Sequence, residues 1–221
     1  LARRAETLSE IQREVEDAGA RALVLAADVR HADAVRAAAT QLREKFGRID
    51  VLIANAGIGA TTDARALEAK EVADVLGTNV MGAVNSVTAV LPEMIEKRSG
   101  QLVVISSLAA YRGLPKSGAY CASKAAVSAF FESLRVDLRG TGVNVTIIHP
   151  GFIRTPLTEG RSTKMPFFME LDDAIRKIIR AIEERRKSYA FPWQLATLVR
   201  IGMVLPASWY DKVASRKSFR E

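Results

Sequence analysis

The sequence of 221 residues contains one cysteine and two histidines, and both shortages exclude kinds of chemistry. A single cysteine forms no internal disulfide, so the fold needs no oxidising compartment and we expect a cytoplasmic protein. Cys121 also has no neighbouring base that would activate it as a nucleophile. His31 and His149 lack a second ligand at metal-binding spacing, so we expect no metal site.

Long apolar runs are lacking as well. No run reaches the roughly 18 uninterrupted apolar residues of a membrane-spanning helix. The longest begins at Leu195, is interrupted by Arg200 and ends at Pro206, which indicates a buried or interfacial helix. The net charge of +7 is spread along the chain instead of forming a basic block, so no nucleic-acid binding is expected. The chain opens on Leu1 without a methionine, and we expect further residues to precede it.

Amphipathic helical patterns alternate with short apolar runs along the chain. The predicted strands are "ALVLAADV", "IDVLIANAG", "GQLVVISS" and "VNVTIIHPG", and the longest predicted helices cover residues 64–98 and the segment "AYCASKAAVSAFFESLRVDLRG". Continuously apolar strands are buried on both faces. This pattern predicts one α/β domain over residues 1–221, with a doubly wound parallel sheet between two layers of helices.

The predicted strands end in residues of unusual type. In chain order these are Asp28 and Val29, then Asn55, Ala56 and Gly57, then Ser106 and Ser107, then Pro150 and Gly151. Because ligands of such folds bind beyond the carboxyl ends of the strands, we expect these residues to meet at one edge of the sheet.

Tyr120 and Lys124 lie four residues apart in a predicted helix, on the same helix face. A phenol has an ordinary pKa of about 10, and a nearby ammonium stabilises the phenolate and lowers that pKa. Such a pair is therefore suited to acid-base catalysis near neutral pH, although it also occurs as ordinary helix surface.

Five motifs give the sequence its family resemblance. They are "NAG" at 55–57, "TNVMG" around Asn79, "VVISS" ending at Ser107, "YCASK" at 120–124 and "HPGFIRTP" from His149. In this order and at these spacings they resemble the short-chain dehydrogenases/reductases of the classical type, over almost the whole chain apart from its C-terminal part. The resemblance implies a Rossmann-like fold and an enzyme acting on CH–OH or C=O groups with NAD(P).

The resemblance also implies a catalytic set. Tyr120 is expected to exchange a proton with the substrate oxygen, and Lys124 to lower the Tyr120 pKa and to bind the nicotinamide ribose. Ser107 is expected to hydrogen-bond the substrate oxygen, with Ser106 as its structural neighbour. Asn79 corresponds to the residue that holds a proton-relaying water.

Cofactor residues follow from the same resemblance. Asp28 and Val29 match the pair at the adenine ring, although Asp28 is also a candidate helix cap. The turn at Asn55, Ala56 and Gly57 lets the dinucleotide approach the backbone. The segment that meets the nicotinamide carboxamide and the phosphates is matched by Pro150, Gly151, Ile153 and Thr155. The family's first strand, glycine-rich turn and first helix are expected before Leu1, since "GIGATT" at 57–62 does not complete the glycine fingerprint.

The first residues bear on which dinucleotide is used. An acid at the end of the family's second strand binds the ribose hydroxyls of NAD, whereas arginine pairs with the extra phosphate of NADP. Arg3 and Arg4 stand at this position, so NADP is expected in preference to NAD. The alternative is that both arginines are solvated residues that open a helix.

Residues 156–221 are interpreted as a substrate lid followed by a C-terminal helical cap. The lid carries Met165, Phe167, Phe168 and Met169, which indicate an apolar carbonyl or alcohol substrate unless they only pack on the sheet. For the helices after Tyr189 we expect a pocket cap, with a subunit interface or contact with a membrane surface as alternatives.

Two broader expectations complete the interpretation. The family usually pairs through the long helices that begin here near Asn79 and Tyr120, which implies a homodimer or homotetramer. The rival function is a noncatalytic dinucleotide-sensing or scaffold protein on the same fold. It is disfavoured because such a protein has no need for the full catalytic set.

Overall fold

The computed structural model describes residues 1–155 and 166–215. Its main sheet has four parallel strands in the order β1-β2-β3-β4. They are β1 (Val51–Ala54), β2 (Gly100–Ile105), β3 (Val143–Pro150) and β4 (Ser188–Phe191). The doubly wound parallel α/β architecture predicted from the sequence is thereby confirmed, and the first three strands lie in the predicted segments.

Eight α-helices occur in the described residues. They are α1 (Ala5–Asp17), α2 (Ala32–Phe46), α3 (Ala69–Leu76), α4 (Gly82–Glu96), α5 (Gly118–Asp137), α6 (Leu171–Glu183), α7 (Trp193–Val204) and α8 (Ala207–Ala214). A π-helical segment, Gly77–Met81, joins α3 to α4, and short 3-10 turns occupy Ala64–Ala66 and Leu108–Ala110.

Alternate residues of the central strands bury opposite faces of the sheet. In β2, Leu102 and Val104 join a core cluster with side chains of α2, α4 and α5. Val103 lies between them and packs on the opposite face with Ala174 and Ala181 of α6. Since successive side chains of a strand point to opposite faces, this alternation shows helices on both sides of the sheet and hence three layers.

Two predictions about strands were wrong. Among the described residues, the apolar run at 22–29 forms only a single parallel bridge, between Ala26 and Ala2. The segment after Tyr189 was predicted to be helical, but it completes β4, which has only four residues and pairs with β3 through Ile147–Pro150. A run this short gives no periodicity to read.

The long helical region after β1 is a core element. By length and composition alone, helix Ala69–Glu96 could cross a membrane, but 56% of its most apolar window is buried inside the fold. Side chains such as Val75 and Met94 are almost fully buried. Its apolar character is therefore explained by packing against the sheet.

One glycine between α5 and β3 has no room for a side chain. Gly142 has a φ of +85°, and a Cβ placed there would lie 2.0 Å from the carbonyl oxygen of Arg98. We expect Gly142→Ala to lower the free energy of unfolding by about 3 kcal/mol, because it combines a left-handed backbone with a collision with backbone atoms. Urea denaturation measures this loss.

Gly140 provides the matched control in the same turn. Its φ is +82°, but no atom of the described residues lies within 4 Å of the added Cβ, its chain neighbours apart. Gly140→Ala should therefore cost only about 1 kcal/mol. Equal losses of unfolding free energy in the two variants would show that the collision with Arg98 does not contribute to the destabilisation of Gly142→Ala.

Candidate active site

The carboxyl ends of β1, β2 and β3 meet at one edge of the sheet, as the parallel register requires. Ser107 follows β2, and its Oγ accepts a hydrogen bond from the amide of Ala109 at 3.1 Å. The same oxygen lies 3.5 Å from the carbonyl oxygen of Pro150 at the end of β3. The Ser107 hydroxyl is thus positioned between two strand ends.

Tyr120 and Lys124 lie in the first turns of α5, directly beside this edge. Lys124 Nζ is 5.7 Å from the centre of the Tyr120 ring and donates a hydrogen bond to the carbonyl oxygen of Ile105 at 2.7 Å. Lys124 is only 6% exposed. Burial lowers the pKa of the Lys124 ammonium to about 8. Among the ion pairs of residues 1–155 and 166–215, none includes Lys124.

A group of hydroxyls beneath Lys124 fixes the position of α5 against β2. Ser106 Oγ is 2.6 Å from Ser128 Oγ and donates to the carbonyl oxygen of Lys124 at 3.1 Å. His149 approaches Ser128 with its Nε2 at 3.4 Å and stacks on Tyr111. Burial lowers the pKa of His149 to about 4, so this imidazole is neutral at pH 7. Ser106 is therefore engaged within the protein, in keeping with the structural part expected for it.

Asn79 lies within the π-helical segment, where its side chain is bonded at both ends. Its Oδ1 accepts from the amide of Ile58 at 2.8 Å, and its Nδ2 donates to the Ile58 carbonyl at 2.9 Å and to Ser123 Oγ at 2.9 Å. The asparagine thereby ties the loop after β1 to the residue next to Lys124. The sequence did not lead us to predict these hydrogen bonds of Asn79. The only sign of them in the sequence is a polar residue inside an apolar helix.

Gly57 allows the loop after β1 to lie close to Asn79 and Lys124. A Cβ added at Gly57 would lie 3.4 Å from Asn79 Oδ1 and 3.6 Å from Lys124 Nζ. Gly57, Asn79, Lys124 and Tyr120 are thus brought together. Ser107 stands two residues after Ile105, whose carbonyl holds Lys124.

A cavity of about 1020 Å³ begins at this edge and runs down beside β1. Its polar part contains the predicted cofactor residues Arg3, Arg4, Asp28, Val29, Asn55, Ala56 and Gly57. Its apolar part is lined by side chains of α2 and α4 and by β1, where Val51 and Ile53 are 42% and 50% exposed. Within the described residues, no strand pairs with this edge of β1. The family's first strand, which we expect before Leu1, would pair with this edge of β1. That pairing stays a prediction.

The turn at Gly57 allows the close backbone approach that a dinucleotide requires, because its absent side chain leaves the floor of the turn open beside Lys124, and two exposed arginines line the same cavity. Within the described part of the chain, these lining residues therefore fit such a ligand. The residues predicted for its nicotinamide portion do not line this cavity.

Asp28 does not cap a helix. Helix α2 begins after His31, whose side chain makes no capping bond, so the alternative interpretation of Asp28 was wrong. The Asp28 carboxylate instead accepts from the amide of Arg30 at 2.9 Å and from its guanidinium at 2.8 and 3.0 Å. These bonds lower the pKa of Asp28 to about 2. Sequence reasoning missed Arg30, which also bonds Asp74.

The remaining predicted cofactor residues lie where β3 meets α7. Gly151 donates its amide to the carbonyl oxygen of Phe191 at 2.7 Å, and a Cβ there would meet Leu195 at 2.9 Å. Ile153 forms a parallel bridge with Met169 and packs in the α6-side core. Thr155 lies at the end of the described segment and is also engaged in an interaction.

The predicted lid is only partly described. Met165 lies outside the described residues. Phe167 is 45% exposed, and Phe168 lies 4.9 Å beneath the guanidinium of Arg154. Met169 packs against the α6-side core, so for this residue the packing alternative holds.

Comparison with known proteins agrees with this geometry. The family model for short chain dehydrogenases matches residues 1–166. An uncharacterized oxidoreductase of Myxococcus xanthus is 44% identical over 214 residues, covering 97% of this chain and 85% of that protein. The chain therefore belongs to the short-chain dehydrogenase/reductase family, whose members act on CH–OH or C=O groups with NAD(P).

Two further similarities concern a more distant relative and a solved structure. A 3-ketodihydrosphingosine reductase of Bacteroides thetaiotaomicron is 32% identical over 178 residues, covering 80% of this chain and 66% of that protein. The solved structure of a metagenomic short-chain oxidoreductase in complex with NADP has a TM-score of 0.68 and is 29% identical, covering 82% of this chain and 77% of that one. The chain spans 48% to 65% of the length of six other curated relatives.

Lys124 should lower the stability of the protein at neutral pH. Its pKa in the folded state is about 8, below the ordinary 10.5, so stability rises as the pH increases from about 8 to 10.5. Lys124→Met removes roughly 3 kcal/mol of burial cost and loses about 1 kcal/mol with the bond to Ile105. We expect the cofactor-free variant to be about 2 kcal/mol more stable at pH 7, by urea denaturation, with the gain shrinking above pH 8.

Lys177→Met is the control, because Lys177 is an exposed residue of α6. It should leave the stability unchanged at either pH. If Lys124→Met were less stable at pH 7, the buried ammonium would be stabilised by its surroundings and the interpretation would be wrong.

Proposed function

We propose that the protein is an NADPH-dependent oxidoreductase that moves a hydride between the nicotinamide and an apolar carbonyl compound or secondary alcohol. The observation that carries the proposal is the burial of Lys124 beside Tyr120, with the Ile105 carbonyl as its hydrogen-bond acceptor and no ion pair to another described residue. A buried cation without an ion pair costs stability, and such groups concentrate at catalytic sites.

The proposed roles follow from the positions of the side chains. Tyr120 gives its proton to the carbonyl oxygen during reduction and takes it back during oxidation, while Lys124 favours the phenolate through its charge. Ser107 donates a hydrogen bond to the same oxygen, since its hydroxyl is held at the end of β2. A nicotinamide dinucleotide, when bound, supplies or accepts the hydride at the carbonyl carbon.

Asn79 has a positioning role in this proposal. Its Nδ2 donates to Ile58 and Ser123 and its Oδ1 accepts from the Ile58 amide, so it fixes the distance between the loop after β1 and the turn that carries Lys124.

The charges around the cavity favour NADP over NAD. Arg3 and Arg4 line its far end, and Arg3 contributes to the lowered pKa of Asp28. The Asp28 carboxylate is already bound by Arg30, so it is poorly placed to bind ribose hydroxyls and to repel a phosphate. The solved metagenomic relative contains NADP, which adds support.

An apolar substrate is supported by the residues around the strand ends. Leu108 directly follows Ser107 and packs with Tyr111, Phe152 and Leu195 in one cluster. The Bacteroides relative is named a 3-ketodihydrosphingosine reductase, and reduction of a ketone is chemistry of the same kind.

We also propose a homo-oligomer that pairs through the outer faces of α4 and α5.

A noncatalytic dinucleotide sensor is the weaker alternative. A sensor would need Lys124 only to bind the nicotinamide ribose and would gain nothing from the tyrosine that lies beside it.

Turnover should depend on the Tyr120 hydroxyl. We expect Tyr120→Phe to reduce the rate at least about a thousandfold, since it removes the proton donor, while NADPH binding stays nearly unchanged. NADPH oxidation with a panel of apolar ketones and aldehydes measures the rate. Tyr111→Phe, on the neighbouring loop, should stay within about threefold of the parent. Turnover retained by Tyr120→Phe would contradict the assignment.

Cofactor preference should depend on Arg3. We expect the parent protein to bind NADPH more tightly than NADH, and Arg3→Glu to weaken NADPH binding by about tenfold to a hundredfold with little effect on NADH. Fluorescence titration with both nucleotides measures this. Arg13→Glu, an exposed residue of α1, is the charge-matched control. If the parent bound neither nucleotide, the proposed activity would not hold for this chain.

A further inference from the structure

The far end of the loop after β1 is attached to the start of α5. Thr62 in this loop is buried, and its amide donates a hydrogen bond to the carbonyl oxygen of Lys116 at 2.8 Å. Thr62 also forms a parallel bridge with Ser117, the residue before α5. Its hydroxyl accepts a hydrogen bond from the amide of Ala119, in the first turn of the helix, at 3.3 Å. The loop therefore contacts the residue that directly precedes Tyr120.

The hydroxyl of Thr62 caps α5 from outside the helix. The first amides of a helix have no partner within it, and a side-chain oxygen of the residue before the helix usually accepts from one of them. Ser117 stands at that position, but its side chain makes no capping bond. The amide of Ala119 is bonded instead by Thr62, which lies 57 residues earlier in the chain.

The near end of the same loop is connected to Tyr120 from the other side. Ser123 Oγ donates a hydrogen bond to the carbonyl oxygen of Tyr120 at 2.8 Å. The same Oγ accepts from Asn79, which bonds both backbone groups of Ile58. The amide before Tyr120 and the carbonyl of Tyr120 are thus both connected to the loop after β1. The backbone of this tyrosine is held on two sides, and each side depends on one hydroxyl group.

The segment around Thr62 is itself held in shape. Asp63 begins the 3-10 turn Ala64–Ala66, and its carboxylate accepts from the amide of Arg65 at 3.0 Å and from the guanidinium of the same residue. The hydrogen bonds from Arg65, together with the charge of Lys116, hold the pKa of Asp63 well below its usual range. Because Asp63 stays ionised, its attraction to Lys116 favours the contact between the loop and the start of α5.

We propose that Thr62 is a positioning residue of the active site, whose hydroxyl caps α5 and thereby holds Tyr120 at the edge of the sheet. This inference rests on the proposed function, because it gives Thr62 a part in the proton transfer by Tyr120. Without the hydroxyl, the buried amide of Ala119 loses its acceptor, and the first turn of α5 shifts to replace that bond. A shift on the order of 1 Å slows the reaction, because proton transfer requires hydrogen-bond geometry.

Three variants test the hydroxyl. Thr62→Val removes it at nearly constant volume, and we expect kcat to fall about tenfold while the Kd of NADPH stays within about twofold. Thr62→Ser keeps the hydroxyl and should recover most of the lost rate. Thr61→Val, at the exposed neighbouring threonine, is the matched control and should turn over as the parent does. Rates are expressed per NADPH-binding site, so that a loss of folded protein is not counted as a loss of kcat.

A second measurement needs no turnover. In protein with ¹³C-labelled tyrosine, the ring signal of Tyr120 is assigned by its loss in Tyr120→Phe. We expect Thr62→Val to change the chemical shift of this signal. The same variant should speed hydrogen exchange of the Ala119 amide at least about tenfold, since that amide has lost its acceptor. Thr61→Val should leave both properties as they are in the parent.

Two kinetic outcomes would overturn the proposal. One is an unchanged kcat in Thr62→Val. The other is a Thr62→Ser variant as slow as Thr62→Val, because the hydroxyl would then not be what matters.

The proposed activity can fail separately, if the parent binds NADPH but reduces none of the apolar carbonyl compounds. The two spectroscopic properties then decide the positioning role. A changed Tyr120 signal and faster Ala119 exchange in Thr62→Val alone would uphold it, and no change in that variant would overturn it.

Discussion

The bond from Lys124 Nζ to the Ile105 carbonyl joins the end of β2 to the first turns of α5. It brings an ammonium into a part of the protein from which water is largely excluded, and the neighbouring groups hold it there. Ser106 and Ser128 fix the backbone of α5 at Lys124, and Asn79 fixes the adjacent Ser123. The chemistry of the site therefore depends on this polar contact, since a buried charge left without its acceptor would be more costly still.

The parallel sheet explains why residues far apart in the chain share this site. Each strand delivers its following loop to the same edge, so Gly57, Ser107 and Pro150 become neighbours although nearly a hundred positions separate the first from the last. The π-helical segment then turns Asn79 toward the loop after β1 within an otherwise apolar core helix. A polar side chain in such a helix is tolerated because its amide oxygen and its amide nitrogen are both hydrogen-bonded.

The sequence allowed the fold and most of the site to be predicted where local pattern and final structure agree. Strands β1, β2 and β3 are apolar runs with clear ends, and Tyr120 and Lys124 share a helix face by spacing alone. The bond between Arg30 and Asp28 was missed because a carboxylate after a strand also suits a helix cap. The short β4 and the poorly paired run at 22–29 were misjudged because a strand is defined by its partner as well as by its own residues.

The attachment of α7 has a mechanical consequence for the rest of the molecule. Arg112 takes up carbonyls that would otherwise be left unsatisfied at the end of that helix, and it belongs to the loop that begins at Ser107. Leu195 packs closely against Gly151 at the end of β3. The two C-terminal helices and the two strand ends are thereby linked into one cooperative unit, which should open and close together in native-state hydrogen exchange. A force applied to the outer helices would reach the strand ends through these contacts and through the short connection from β4 to α7.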